Sequence, residues 1–217
     1  SLSHGVEQGI HDVLHATGGT PISAGDAYAT ALALSPDAAW VALANEMGQV
    51  LQWLPDQPAA PPTELAPAGG PIVWALAASN DGALAAVDEA GDIRVWPAES
   101  KDGGPLRLQT GSPLFTVAFT PDAQAVVAGG SDGALYIWLF NQPDVAPVVL
   151  QGHTDAVNVV AASPDGRWLA SGGADNRVLL WPVDRLDSPI LAATHDAPVS
   201  VLDFSNDATS LASGDSG

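Results

Sequence analysis

Along most of the chain, short apolar runs alternate with polar interruptions built from Gly, Pro, Asp, Asn and Ser. Runs of this length, too short for helices and punctuated by turn formers, predict β-strands joined by tight turns. The stretch from Ala156 to Thr194 shows the pattern in full. "AVNVVAAS" reads as an apolar inner strand, "PDG" as a turn and "RWLASGG" as a second strand. "ADN" turns again, "RVLLW" is a third strand, and "SPILAAT" is the fourth and outermost. Asp-Gly and Asp-Asn stand where hairpin turns need residues that tolerate positive φ.

The pattern recurs. Four runs end in tryptophan, "QVLQW" at Trp53, "DIRVW" at Trp96, "ALYIW" at Trp138 and "RVLLW" at Trp181, with separations of 43, 42 and 43 residues. A second marker runs in phase: "SPDAAW" from Ser35, "SNDGAL" from Ser79, "TPDAQA" from Thr120, "SPDGRW" from Ser163 and "SNDATS" from Ser205, in steps of 44, 41, 43 and 42. Two independent markers sharing one period, each period holding several short strands, are the signature of a β-propeller blade.

The best unit, "GHTDAVNVVAASPDGRWLASGGADNRVLLW" from Gly152 to Trp181, resembles a blade of the WD-repeat (WD40-type) family from its Gly-His pair to its third-strand tryptophan, and the resemblance covers about residues 25–217. One departure is that Leu54, Pro97, Leu139 and Pro182 stand where the family places an aspartate after the tryptophan. The resemblance implies an all-β fold of four-stranded antiparallel blades at about 25–66, 67–110, 111–151 and 152–194, followed by a half blade at 195–217. Ending before a third strand in its fifth unit, the chain is expected to be an open part of a ring of about six to eight blades, the remainder coming from the same chain or another. Residues 1–24 are expected to form an N-terminal segment able to supply the outer strand of a preceding or closing blade.

Ser171, Asp175 and the upstream His153 are the residue types of a nucleophilic triad, for which geometry rather than chain order defines the match. The resemblance instead implies a structural network of His153, Ser171, Asp175 and Trp181. In it Asp175 accepts from the imidazole, the imidazole meets the serine, and the serine meets the indole N–H. The structural reading also accounts for the tryptophan and the turn register, which a catalytic reading does not. In the third blade Asp132 and Trp138 remain, with Ser112 near the histidine position and Ala128 at the serine position. Ala86 and Ala90 replace serine and aspartate in the second blade, and Leu43 and Met47 in the first, so these two are expected to rely on apolar packing. The terminal Gly214-Asp215-Ser216-Gly217 reads like the nucleophile segment of chymotrypsin-like proteases, but Ser213 falls at the second-strand serine position and "SLASG" repeats "WLASG". No catalytic residue is expected.

Composition narrows the partners. Acidic residues outnumber basic ones 25 to 6, a net charge of -19, and 20 of the acids are aspartate. Such a surface repels phosphate backbones, which excludes nucleic acid as an expected partner. Part of the acidity serves turn building; the rest is open between solubility, a basic partner and a salty or acidic environment. With 0 cysteines, disulfides and thiolate metal sites are excluded. His11 and His15 have helical metal-site spacing but no evident third ligand, and neither a phosphate-binding glycine loop nor a membrane-length apolar stretch is present, so no metal, cofactor or membrane is expected.

Five residues before each Ser/Thr-x-Asp marker, near the start of the inner strand, stand Thr30, Trp74, Phe115, Asn158 and Ser200. The resemblance places these positions on the face where partners dock, with Trp74 beside Phe115 on adjacent blades; the two rings are read either as a partner contact or as core packed between sheets. The preferred expectation is a non-catalytic scaffold that binds a protein or peptide, with a basic partner among the readings of the charge. The alternatives are a sensory or regulatory module of a larger signalling protein, such as an NTPase or protease, and a ligand-binding or enzymatic propeller using its central channel. Small residues at Ala33, Ala77, Ala118 and Ala161, with Asp203 in the fifth unit, weigh against the last.

Overall fold

A computed structural model of the chain describes residues 27–57, 60–98, 104–140, 142 and 145–217. The N-terminal segment, with His11 and His15, lies outside the described residues. The first sheet orders β1 (Ala29–Leu34), β2 (Val41–Asn45), β3 (Val50–Trp53) and β4 (Thr63–Ala66) side by side, all antiparallel. The second repeats this with β5 (Val73–Ala78), β6 (Leu84–Asp88), β7 (Asp92–Trp96) and β8 (Leu106–Gln109). The third holds β9 (Leu114–Phe119), β10 (Ala125–Gly130), β11 (Ala134–Leu139) and β12 (Val148–Gln151). The fourth holds β13 (Val157–Ala162), β14 (Trp168–Gly173), β15 (Arg177–Pro182) and β16 (Ile190–Thr194), and a fifth pairs β17 (Val199–Phe204) with β18 (Leu211–Asp215). Consecutive inner strands, β1, β5, β9, β13 and β17, touch one another.

Apolar side chains form four cores, one between each successive pair of sheets, to which the three middle sheets contribute from both faces. Ala42, Ala44 and Val50 meet Val73, Leu84 and Ala86; Val87, Ile93 and Val95 meet Leu114, Val117 and Val126; Val127, Leu135 and Ile137 meet Val157, Leu169 and Trp181; and Ala170 and Val178 meet Val199 and Leu202. Burial of each larger side chain stabilises by about 1.5–3 kcal/mol. The sheets approach closely because one position on the second strand is small. A Cβ on Gly172 would lie 2.4 Å from Cγ1 of Val199 in the next inner strand.

The second marker is the turn between the first and second strands. Its hydroxyl accepts the N–H that closes the turn: Ser35 from Trp40 at 3.0 Å, Thr120 from Ala125 at 3.0 Å, Ser163 from Trp168 at 2.9 Å and Ser205 from Ser210 at 3.0 Å. Thr120, Ser163 and Ser205 donate in turn to Asp122, Asp165 and Asp207 two residues on. The second sheet has a turn one residue shorter, in which Ser79 accepts from Ala83 and donates to Asp81. These bonds explain why hydroxyl and carboxylate recur two residues apart.

Each inner strand carries one extra residue. Pairing with the second strand skips Thr30 in β1, Trp74 in β5, Phe115 in β9, Asn158 in β13 and Ser200 in β17. A β-bulge of this kind re-aims the side chain it displaces. The five positions singled out in the sequence are therefore five bulged residues at one level of the fold.

Candidate functional site

At this level the Trp74 and Phe115 rings meet edge to face, with centroids 6.4 Å apart and planes at 84°. Trp74 is 43% exposed and Phe115 half-buried. Trp74 belongs to the second sheet and has a complete sheet on either side, so its exposure is that of an interior position in the row. The remaining bulged residues differ. The Oγ1 of Thr30 is buried with no partner among the described residues, Asn158 Nδ2 donates to the Val199 carbonyl of the next sheet at 3.1 Å, and Ser200 is exposed. Asn158 thus stitches two sheets together.

The turns between second and third strands border the same level. Glu46 and Glu89 are exposed there. Glu89 Oε1 accepts the Ile72 N–H at 3.2 Å and Glu46 Oε1 the Tyr28 N–H at 3.5 Å, so each carboxylate is tied beside the start of its own inner strand. Ser131, Ala174 and Ser216 follow at the same position in the later sheets, bonding through their N–H groups to Pro113, Ala156 and Pro198.

Beneath this face lies the fourth sheet's polar network. Trp181 Nε1–H donates to Ser171 Oγ at 2.8 Å, Ser171 Oγ lies 2.8 Å from His153 Nε2, and His153 Nδ1 lies 2.9 Å from Asp175 Oδ1. With Nδ1–H donating to the carboxylate, the neutral ring accepts the serine proton at Nε2, and every polar group is used. Burial pushes the Asp175 carboxyl up, but the Thr154 N–H, the His153 ring and the Arg177 N–H outweigh it and hold the group below the ordinary carboxylate range. Ser171 is fully buried. No substrate carbonyl reaches its oxygen, which already accepts the indole proton. The Gly-His pair also has a packing reason, since a Cβ on Gly152 would lie 2.6 Å from Cη2 of Trp181.

A related pair stands in the fifth sheet. His195 Nε2 lies 2.8 Å from Ser213 Oγ, and Nδ1 lies 3.4 Å from Asp215 Oδ2, both side chains of that ion pair being partly exposed. Ser216 follows β18, and among the described residues no histidine bonds its hydroxyl.

The second sheet corrects the expectation of apolar packing alone, and the third fills its missing serine position in a related way. In the second, Ala86 pairs across the strands with Arg94, whose guanidinium lies 3.7 Å from the Asp88 carboxylate and 5.8 Å from the Trp96 ring centroid. In the third, Ala128 pairs with Tyr136, which donates to Asp132 and stacks on Trp138 with centroids 5.7 Å apart. Where the serine position is alanine, a long polar side chain opposite it fills the space and links the turn acid to the tryptophan. The turns themselves have moved their acceptor. Asn45 Oδ1 accepts from Met47 and Gln49, and Asp88 Oδ1 from Ala90 and Asp92, whereas Asp132 and Asp175, two places later in the turn, accept from Ala134 and Arg177. The signal available in the sequence was Asn or Asp opening a turn that ends in Gly48 or Gly91.

Two stretches of the chain, residues 104–138 and 147–182, match the family model described as "WD domain, G-beta repeat". The chain carries WD40 repeats. The matched stretches hold most of the third sheet and the inner three strands of the fourth, where Gly-turn and acid-to-tryptophan links are retained. An 86-residue stretch is 33% identical to the human "Serine-threonine kinase receptor-associated protein", covering 39% of this chain and 24% of that one. A 42-residue stretch is 45% identical to the "Denticleless protein homolog" of Danio rerio, covering 19% of this chain and 6% of the relative. The chain thus spans about a quarter or less of the length of these curated relatives. Among solved structures, a chain of a mitotic checkpoint complex aligns with a TM-score of 0.74 and 25% identity over 86% of this chain and 58% of its own. The fold is therefore a WD40-type β-propeller, open in the part described.

Among the described residues no His, Cys, Asp or Glu cluster could hold a metal ion, and no helix is long and apolar enough to cross a membrane.

Proposed function

We propose that this WD-repeat chain is a non-catalytic platform that binds a protein or peptide through the face bearing the five bulged residues, with Trp74 and Phe115 as its anchor. The supporting observation is the exposed edge-to-face pair. Aromatic residues held rigidly by a bulge present large contact area at small entropic cost, the chemistry of an interface hot spot. WD40 propellers are typically protein-interaction scaffolds, the human relative is named for its association with a receptor, and the structural neighbour is part of a complex. The net charge of -19 favours a basic partner.

A photo-crosslinking amino acid placed at position 74 or 115, against one at the distant and exposed Asp187, tests the reading in cells of the source organism. Capture of a common protein from positions 74 and 115 but not 187, and loss of its binding in the Trp74→Ala/Phe115→Ala double variant with an unchanged melting temperature, is the expected result. A large loss of stability with intact binding by the folded fraction would make the two rings core residues.

A further inference from the structure

We propose that the bulge face selects a segment in which lysine or arginine alternates with apolar residues, the cations being read by Glu46 and Glu89 and the apolar side chains by Trp74 and Phe115. This rests on the reading of that face as the binding surface, and adds to it the chemistry of the ligand and the residues that discriminate.

The turn carrying Glu46 packs against the loop that leads into Trp74, because a Cβ on Gly48 would lie 2.5 Å from the Pro71 carbonyl oxygen and 2.7 Å from the Gly70 carbonyl carbon. The turn carrying Glu89 packs in the same way against the loop leading into Phe115, a Cβ on Gly91 meeting the Ser112 carbonyl oxygen at 2.5 Å. Around the row of sheets the order is therefore Thr30, Glu46, Trp74, Glu89, Phe115, with acid and ring in alternation. In the later sheets the glutamate position is Ser131, Ala174 and Ser216, and the bulged residues are Asn158 and Ser200, so both the acids and the rings are confined to the same end of the face. Glu89 uses one oxygen on the Ile72 N–H at 3.2 Å and Glu46 makes a longer contact with the Tyr28 N–H at 3.5 Å, so each carboxylate keeps its other oxygen for a ligand. Among the described residues no ion pair neutralises either one. A carboxylate beside an exposed indole suits a cationic head on an apolar stem, which gains from both the charge and the ring face.

The test uses two labelled peptides of equal length, alternating leucine with lysine in one and with glutamine in the other, titrated by fluorescence anisotropy against the whole chain. The lysine peptide is expected to bind more tightly. Glu46→Gln/Glu89→Gln is expected to weaken it by about fivefold, as for two exposed ion pairs, while leaving the glutamine peptide unchanged. Asp184→Asn/Asp187→Asn, which removes the same charge from exposed positions elsewhere, is expected to leave the preference intact. Equal weakening by the two double variants, or no preference for lysine in the wild type, overturns the proposal, because the general field of an acidic protein would then be responsible. Trp74→Ala separates the two levels. If it leaves lysine-peptide binding untouched, the bulge face is not the binding surface and both readings fall; if it weakens both peptides while the glutamate variants change nothing, only the cation selection falls.

Discussion

The Arg94 guanidinium and the Asp88 carboxylate lie 3.7 Å apart with both side chains almost wholly buried. Burial pushes the carboxyl up despite the Asp92 N–H and the arginine, and pushes the guanidinium down. Arg94 Nε and Nη2 have no hydrogen-bond partner among the described residues. A buried pair this loosely bonded stabilises little in itself, but each member alone is an uncompensated charge. Arg94→Met is therefore expected to cost about 3 kcal/mol in urea unfolding. Arg94→Met/Asp88→Asn should return to within about 1 kcal/mol of wild type, since Asn45 shows that an amide can hold the same turn in the first sheet. A double variant no better than the single one would mean that the pair itself, and not the orphaned charge, sets the cost.

The third sheet's substitute network makes a pH prediction at the alkaline end. Burial raises the Tyr136 hydroxyl to about 12, with the Asp132 hydrogen bond and charge adding to it. A phenol whose ionisation is raised on folding contributes stability that is complete below the ordinary tyrosine value and is lost as pH rises through about 12. In an ultraviolet titration, the tyrosinate absorbance that vanishes in Tyr136→Phe should have its midpoint near 12, and Asp132→Asn should bring that midpoint down. A Tyr136 signal unmoved by Asp132→Asn would break the proposed link between turn acid and phenol.

How much of this was open to sequence reading depends on the kind of order involved. Trp53, Trp96, Trp138 and Trp181 recur because each closes a third strand, and the Ser/Thr-x-Asp marker recurs because each hydroxyl closes a turn; both are local, so spacing exposes them. The adjacency of Trp74 and Phe115 followed from the same phase. The bulges were not legible, because an extra residue is defined only against the pairing register of its neighbour strand. Arg94 and Tyr136 were missed for a related reason. Each matters through the alanine across from it, and neither residue type is unusual on an edge-facing strand until the partner is known. The displaced turn acceptors Asn45 and Asp88 were within reach, but the family pattern directed attention two places later, to Met47 and Ala90.

Turn conformation supplies a stabilisation test. Ala38, Ala123 and Ala208 hold φ of 56, 54 and 57° at the turn position where Gly82 and Gly166 stand at 89 and 71°. An L-residue with a Cβ is strained by about 1–2 kcal/mol there, against a glycine entropy cost of about 0.5–1 kcal/mol. Ala38→Gly, Ala123→Gly and Ala208→Gly should each raise stability by about 0.5 kcal/mol, the balance of those two effects. Gly166→Ala should lower it by a similar amount, because its Cβ would meet only the Pro121 Cγ, at an ordinary 3.6 Å. Chemical denaturation of the four variants checks the sign, and destabilisation by all three glycines would refute the strain argument.

The same turns govern acid sensitivity. Asp207 is held down at about 2 by the Ser205 hydroxyl first, then by the Thr209 hydroxyl and N–H, and Asp37, Asp122 and Asp165 are lowered by equivalent bonds. A carboxyl depressed on folding contributes stability that is present above its unfolded value of 3.8 and lost as pH falls through its folded one. Carboxyl-carbon NMR should find Asp207 titrating near 2 in the wild type and closer to 3.8 in Ser205→Ala/Thr209→Val. An Asp207 that titrates alike in both proteins would remove the hydroxyls as the cause.

The two serine-histidine pairs should respond very differently to the loss of their hydroxyl. Ser171→Ala strips a proton donor from His153 Nε2 and an acceptor from the Trp181 indole, both in the interior. Two buried polar groups left unsatisfied cost about 1–3 kcal/mol each, so a loss of about 3 kcal/mol is expected. Ser213→Ala leaves a partly exposed His195 that water can reach, and should cost under about 1 kcal/mol. Urea unfolding compares the two. A fluorophosphonate probe addresses the chemistry that the same residues suggest, because it marks a serine only where the hydroxyl is both activated and open to an incoming electrophile. Ser171 is closed off by the indole that bonds it, and Ser213 lacks hydrogen-bond donors placed for a developing oxyanion among its described contacts. Neither should label. Stoichiometric labelling of Ser171 with only a small stability loss in Ser171→Ala would turn the network from a packing device into a reactive one.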